Sequence, residues 1–194
     1  MLSVSHLVQP IIVGCVLAFL TANILMNAAV KAMTTTANGW STILKCGQPG
    51  NGILLRAGCA KILPGTNVAQ EAAYWTTVVD GAGRRLNGQH EYVLNFPVGQ
   101  LPPNDAFWSL AMTDVVGYMV SNPIDRYSVG GRSGLVPNAD GSIDIYIQRT
   151  APAGHESNWL PAPAGKFKLM LRAYLPGRAV LDGEYHVPPV MKVH

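Results

Sequence analysis

The sequence predicts a mainly β fold: an antiparallel β-sandwich of jelly-roll type, with one N-terminal transmembrane helix and one or two short helices before the sheet. Three observations carry this expectation. Segments of strand length in the C-terminal two thirds alternate apolar and polar residues, so each has one apolar face. Gly, Pro, Asn and Asp punctuate the gaps between them. No Asp, Glu, Lys or Arg occurs before Lys31, and the run from Leu7 to Val30 is largely apolar.

A chain of 194 residues has room for one domain with a sizeable core plus an appendage. The expected division is an anchor over 1–33, a linker over 34–52 and a β-rich domain over 53–194. A formal net charge of +3 with only 13% charged residues is too mild and scattered for a phosphate-tracking surface. Nucleic acid is therefore not an expected partner.

About 20 apolar residues are enough to cross a hydrocarbon core as a helix. Gln9, Pro10 and Asn23 interrupt the run, though Pro10 is tolerable near a first turn. A cleaved signal peptide would show a positive start and a small-x-small cleavage site, and neither is present. Ile12-Val13-Gly14-Cys15 is like a lipoprotein box, but the apolar run continues well beyond the Cys. An uncleaved anchor is the expectation, with the membrane as partner through this helix. Lys31 and Lys45 follow the helix while none precedes it, which by the positive-inside rule favours a cytoplasmic domain. Cys46 and Cys59 leave two alternatives. One is a disulfide in an oxidising compartment, closing a loop of roughly a dozen residues for about 3 kcal/mol; the other is two buried free thiols.

Thr34 to Gly52, rich in Thr, Gly and Asn, reads as linker. Ile53 to Ile62 has helical spacing, with Leu54, Leu55, Gly58 and Ile62 on one side, and Val68 to Trp75 is a second short helical candidate. YWTTVVD, a turn at Asp80-Gly81-Ala82-Gly83 and HEYVLNF read as a hairpin. Tyr92, Leu94 and Phe96 oppose Glu91, Val93 and Asn95; Ile143, Ile145 and Ile147 oppose Asp144, Tyr146 and Gln148. In the last long strand Phe167, Leu169 and Leu171 oppose Lys168, Met170, Arg172 and Tyr174. One apolar face per strand implies two packed sheets or a partly open barrel.

Together FWSLAMTD, NPIDRYS, DGSIDIYIQ, NWLPAP and LRAYLP resemble the bacterial family called domain of unknown function 1214, over roughly Glu71 to Val190. The chain looks like the stand-alone form behind a hydrophobic segment, without the partner domain numbered 1254. The resemblance implies a jelly-roll-like domain exported from a bacterial cytoplasm, hence a single-pass inner-membrane protein with a periplasmic domain. It supplies no catalytic residues.

Catalytic patterns are poorly matched. Gly131-Arg132-Ser133-Gly134 puts its last Gly one position early for a nucleophile elbow. The histidines, His90 and His155 among them, are far apart and no Cys-x-x-Cys occurs, so no metal or other cofactor is expected. What remains is a candidate ligand-binding set: Trp108, Asp114, Asn122, Arg126, Asn158, Trp159, Arg172 and Tyr174. Trp108 and Asp114 share one strand face by parity, as do Arg172 and Tyr174. If the faces meet, Arg172 would pair with Asp114 between aromatic flanks, suiting a sugar, acyl or carboxylate ligand. A charge within a strand needs a partner or a ligand, so Arg172 is expected to matter and Lys168 to matter little.

Three functions are compatible with these residues. The first is a membrane-anchored envelope domain binding a small ligand or a protein partner. The second is a structural accessory subunit of a membrane complex, with Ala18, Thr21, Ala22 and Ala28 offering close helix contact. The third is a hydrolase or isomerase of carbohydrates or small organic molecules using Asp114, Asp140 or Glu156 as acid or base.

Overall fold

A computed structural model describes residues 4–193. Helix α1, Val4–Met33, leads into a short hairpin of β1 (Thr35–Ala37) and β2 (Trp40–Thr42), then into helix α2 (Ile53–Ile62). The strands β3 (Ala72–Thr77), β4 (Tyr92–Phe96), β5 (Asn104–Thr113), β6 (Ser128–Gly130) and β7 (Ile143–Gln148) follow. A 3-10 turn, β8 (Trp159–Pro161), β9 (Lys168–Pro176), helix α3 (Arg178–Leu181) and β10 (Val190–Lys192) complete the chain. The molecule is thus mainly sheet, with one apolar N-terminal helix.

The strands form a six-stranded sheet in the order β1-β2-β3-β9-β5-β6 and a four-stranded sheet in the order β10-β4-β7-β8. Alternation explains which residues turn inward. Phe167, Leu169, Leu171 and Ala173 on and before β9 are fully buried, as are Ile145 and Ile147 on β7 and Leu94 on β4. These residues join Trp75, Trp108, Leu110 and Met112 in one buried cluster fed by both sheets. Each such large apolar side chain stabilises the fold by about 1.5–3 kcal/mol through removal from water. Phe96 of one sheet meets Trp108 of the other at 5.3 Å between ring centroids.

Four expectations are corrected. Residues 34–52 do not form a linker: Asn38 and Gly39, both at positive φ, make the tight turn of the β1–β2 hairpin, which extends the sheet through β2 onto β3. Trp40 is buried there and donates its indole N–H to the Pro188 carbonyl at 2.8 Å. Val68 to Trp75 is not helical, because Ala73 and Trp75 face the core from β3 while Tyr74 faces out. β3 and β4 are not hairpin partners either. The Asp80 turn exists, closed by its carboxylate on the Ala82 and Arg84 amides, but the strands on either side of it enter different sheets. One pair departs from the antiparallel pattern, since β8 runs parallel to β7.

α2 occupies the residues expected, but its covered side is Leu55, Gly58 and Cys59, while Leu54 and Ile62 are exposed. It runs back along α1: its start lies beside Ala29 and Met33, and Lys61 near its end donates to Asn23 Oδ1 at 3.0 Å. Only Gly fits at position 58, where any Cβ would collide with Val30 Cγ2. Cys59 is disulfide-bonded to Cys46, their Cα atoms 5.7 Å apart, and with Leu55 and Ile43 they form a second small cluster.

The disulfide closes a loop of 13 residues, which should restrict the unfolded chain by about 3 kcal/mol. Urea denaturation with and without reductant is expected to show a loss of that order. An identical midpoint, together with full thiol labelling of unreduced protein, would contradict the bond.

Candidate functional site

The outer face of the six-stranded sheet is set by the same alternation that fills the core. On β9 the residues between the buried leucines, Lys168, Met170, Arg172 and Tyr174, point away from the core and are half-buried. Register brings Tyr74 of β3 opposite Arg172 and Thr76 opposite Met170. On the other side Phe107 of β5 pairs with Tyr174, and their rings stack at 4.3 Å. Arg132 places its guanidinium 4.3 Å above the Phe107 ring, a cation–π contact that closes this end.

Two loops rise beside this face, Ile62–Asn67 after α2 and Val116–Tyr118 after β5, and together they enclose an open groove of about 530 Å³. Lys168 and Arg172 both line it, and no Asp or Glu does. Among the described residues the ion pairs are Arg84–Asp80 and Arg178–Asp182, so neither groove cation is paired with a carboxylate. Arg172 Nε lies 3.3 Å from Met170 Sδ, a weak acceptor for a guanidinium. The groove is therefore positively charged and flanked by Tyr74, Tyr118 and Tyr174.

Asp114 shapes one wall rather than facing Arg172. A single carboxylate oxygen accepts from the amides of Val116, Gly117 and Tyr118 at 2.9, 2.7 and 3.0 Å. The Gly117 and Tyr118 bonds, with a smaller attraction from Lys168, hold its pKa below the ordinary value of 3.8. Gly117 adopts a φ of +121°, and a Cβ there would meet Lys168 Nζ at 3.3 Å, so the loop passes close against the ammonium.

With Asp114 in the wall, the other seven candidate residues separate into three places. Arg172 and Tyr174 line the groove. Trp108 sits on the opposite face of the sheet within the core, paired with Ala173, so it cannot flank Arg172. Asn122, Arg126, Asn158 and Trp159 fasten loops at the β8 end. Asn122 Oδ1 accepts from the Arg126 amide at 3.0 Å, and Arg126 Nη1 donates to the carbonyls of Glu156 and Trp159. Buried Asn158 donates to the Val136 and Asp144 carbonyls, and the Trp159 indole donates to the Gln148 carbonyl. The expected pairing of Asp114 with Arg172 is not formed. Lys168, expected to matter little, shares the groove with Arg172; its position two strand periods away was readable by parity. Tyr74 and Tyr118 carried no such signal, since long-range register and a loop bring them in.

The acids considered for catalysis are each engaged in local turns. Asp140 accepts from the hydroxyl and amide of Ser142, and Glu156 from the Gly154 amide. The Ser142 bonds hold the Asp140 carboxyl below its ordinary range, and Glu156 is held below its own first by its own backbone amide and then by the Gly154 amide. Ser133 Oγ accepts from the Gly130 amide. Among the described residues no three His, Cys, Asp or Glu side chains come together as a metal site.

The family model described as protein of unknown function (DUF1214) matches residues 71–178. Tyr74, Lys168, Arg172 and Tyr174 fall inside that span, whereas α1, α2 and the Ile62–Asn67 wall fall outside it. No curated protein matches. Among solved structures, the VPA0106 protein of Vibrio parahaemolyticus is 26% identical with a TM-score of 0.64, over 75% of this chain and 36% of that one. An uncharacterized protein from Burkholderia cenocepacia is 15% identical with a TM-score of 0.42, over 89% of this chain and 40% of that one. The chain thus spans well under half the length of both.

Because its folded pKa is lowered, Asp114 contributes stability above the unfolded carboxyl pKa, and that contribution is lost as pH falls through the folded value. The amide resonances of Val116, Gly117 and Tyr118 should therefore shift together in acid with a midpoint below 3.8. A midpoint at or above that value would contradict the turn.

Proposed function

We propose that this chain, which belongs to the DUF1214 family of proteins of unknown function, is a membrane-anchored envelope protein that binds a small carboxylate-bearing ligand. The binding unit is a β-sandwich of jelly-roll type, held in the periplasm by α1 as a single inner-membrane span. The observation that carries the reading is the pair of cations, Lys168 and Arg172, that line one groove with no carboxylate ion-paired to either, the nearby Asp114 being bonded to the amides of its own turn. A half-buried guanidinium without a carboxylate partner is costly unless a ligand or water completes its hydrogen bonds.

Three further facts support it. Val8–Met33 has a mean hydropathy of 2.1, and Val8 through Ala22 is exposed, an apolar surface that lipid would cover. The Cys46–Cys59 bond suits an oxidising compartment. Of the sugar, acyl and carboxylate ligands expected from the sequence, the charge of the groove favours the last, while Tyr74, Tyr118 and Tyr174 supply faces for an apolar or cyclic body.

Calorimetric titration of the detergent-solubilised full chain with benzoate, decanoate and a neutral sugar tests this directly. A carboxylate should bind and the sugar should not. Arg172→Ala removes a charge-assisted hydrogen bond of about 1.5–3 kcal/mol, so affinity should fall at least about tenfold with the fold intact. Equal affinity in the variant, or no carboxylate binding, would contradict the proposal.

A further inference from the structure

One wall of the groove continues from the end of α2, the end that lies back along α1 beside Asn23 and Asn27. No residue from Val8 through Ala22 is covered, and the first partly covered one is Asn23. There Lys61 of α2 donates to Asn23 and Asn27. Because α2 runs back along α1, its last turn lies beside Asn23 and not beside Met33. Ile62–Asn67 continues from that last turn before the chain enters β3, forming a tip that begins beside Asn23 and Asn27 and returns toward Thr34, which Ile62 and Leu63 also flank.

Helix length places that level relative to a bilayer. At 1.5 Å per residue the 26 residues of Val8–Met33 measure about 39 Å, some 9 Å more than a hydrocarbon core of about 30 Å. The excess falls at the C-terminal end, where α2 covers one side and Asn23, Asn27 and Lys61 supply polar groups that hydrocarbon would not accept. Counted from Val8 that thickness ends at Asn27, and Asn23 with its Lys61 partner draws the boundary back by one turn. The lipid boundary then falls near Asn23, and the tip, with Ile62 42% exposed, lies among the headgroups.

We propose that the groove between this tip and β9 takes the anionic headgroup of a membrane amphiphile, a phosphate or a carboxylate, while the acyl chains stay in the bilayer beside Ile62. Lys168 and Arg172 meet the charge, and Tyr74 and Tyr118 sit at the depth where amphipathic aromatic rings are favoured. This rests on the carboxylate-binding groove proposed above, extends it to the phosphate of a lipid headgroup, and names where its ligand comes from.

The test uses the full chain reconstituted in phosphatidylcholine with or without phosphatidylglycerol. Retained lipid is counted by native mass spectrometry after transfer to neutral detergent, and melting shifts with inorganic phosphate and benzoate are recorded in pure phosphatidylcholine. The expected result is phosphatidylglycerol retained on the parent chain and reduced about tenfold in Lys168→Gln/Arg172→Gln, at an unchanged melting temperature. Ile62→Asp, which leaves both cations in place, should reduce lipid retention without altering the phosphate or benzoate shift. Soluble anions binding without lipid retention would overturn the amphiphile and leave the anion groove standing. Neither binding would overturn both, and retention indifferent to the double substitution would remove the groove as the site.

Discussion

Everything in this molecule depends on one strand. β9 lies between β3 and β5 and pairs with both, so its alternation decides the fate of two faces at once. Leu169, Leu171 and Ala173 commit one face to the shared core. The intervening residues are then forced outward, and that geometry brings Lys168, Met170, Arg172 and Tyr174 into a row. A slip of one residue would exchange the two sets, burying two cations and exposing the leucines, so the core itself specifies the register of the groove.

The second constraint is the helical hairpin of α1 and α2. Neither helix buries much on its own, and α2 has only Leu55, Gly58 and Cys59 covered. Gly58 against Val30, Lys61 against Asn23 and the disulfide to Cys46 hold it in place by contact, hydrogen bond and covalent link. That arrangement positions Ile62–Asn67 as the groove wall. The acidic residues serve shape in the same way: Asp80, Asp114 and Asp140 each close a turn, and the first also pairs with Arg84.

Much of this was legible in the residues. The inward sets on β4, β7 and β9, the apolar helix and the extent of α2 follow from periodicity, because burial enforces the pattern. The helix reading of Val68 to Trp75 failed because its alanines satisfy helix and strand alike, and pairing with β9 decided for strand. The β1–β2 hairpin carried a usable Asn38-Gly39 signal inside a stretch whose composition resembled linker. Parity grouped Arg172 with Tyr174 correctly but also grouped Trp108 with Asp114, and it could not say which face of β5 looks inward. Which loops would stand over the outer face depends on contacts distant in sequence, and no local pattern encodes those.

The central claim is that the outer face of β9 holds an anionic ligand through Lys168. Amine-reactive labelling of the full chain, read at each lysine by mass spectrometry with and without benzoate, decanoate or phosphatidylglycerol, tests it most directly. Lys166, exposed just before the strand, is an internal reference. The account predicts that ligand slows labelling of Lys168 and leaves Lys166 unchanged. Lys168 labelling that keeps pace with Lys166 under every ligand would contradict it.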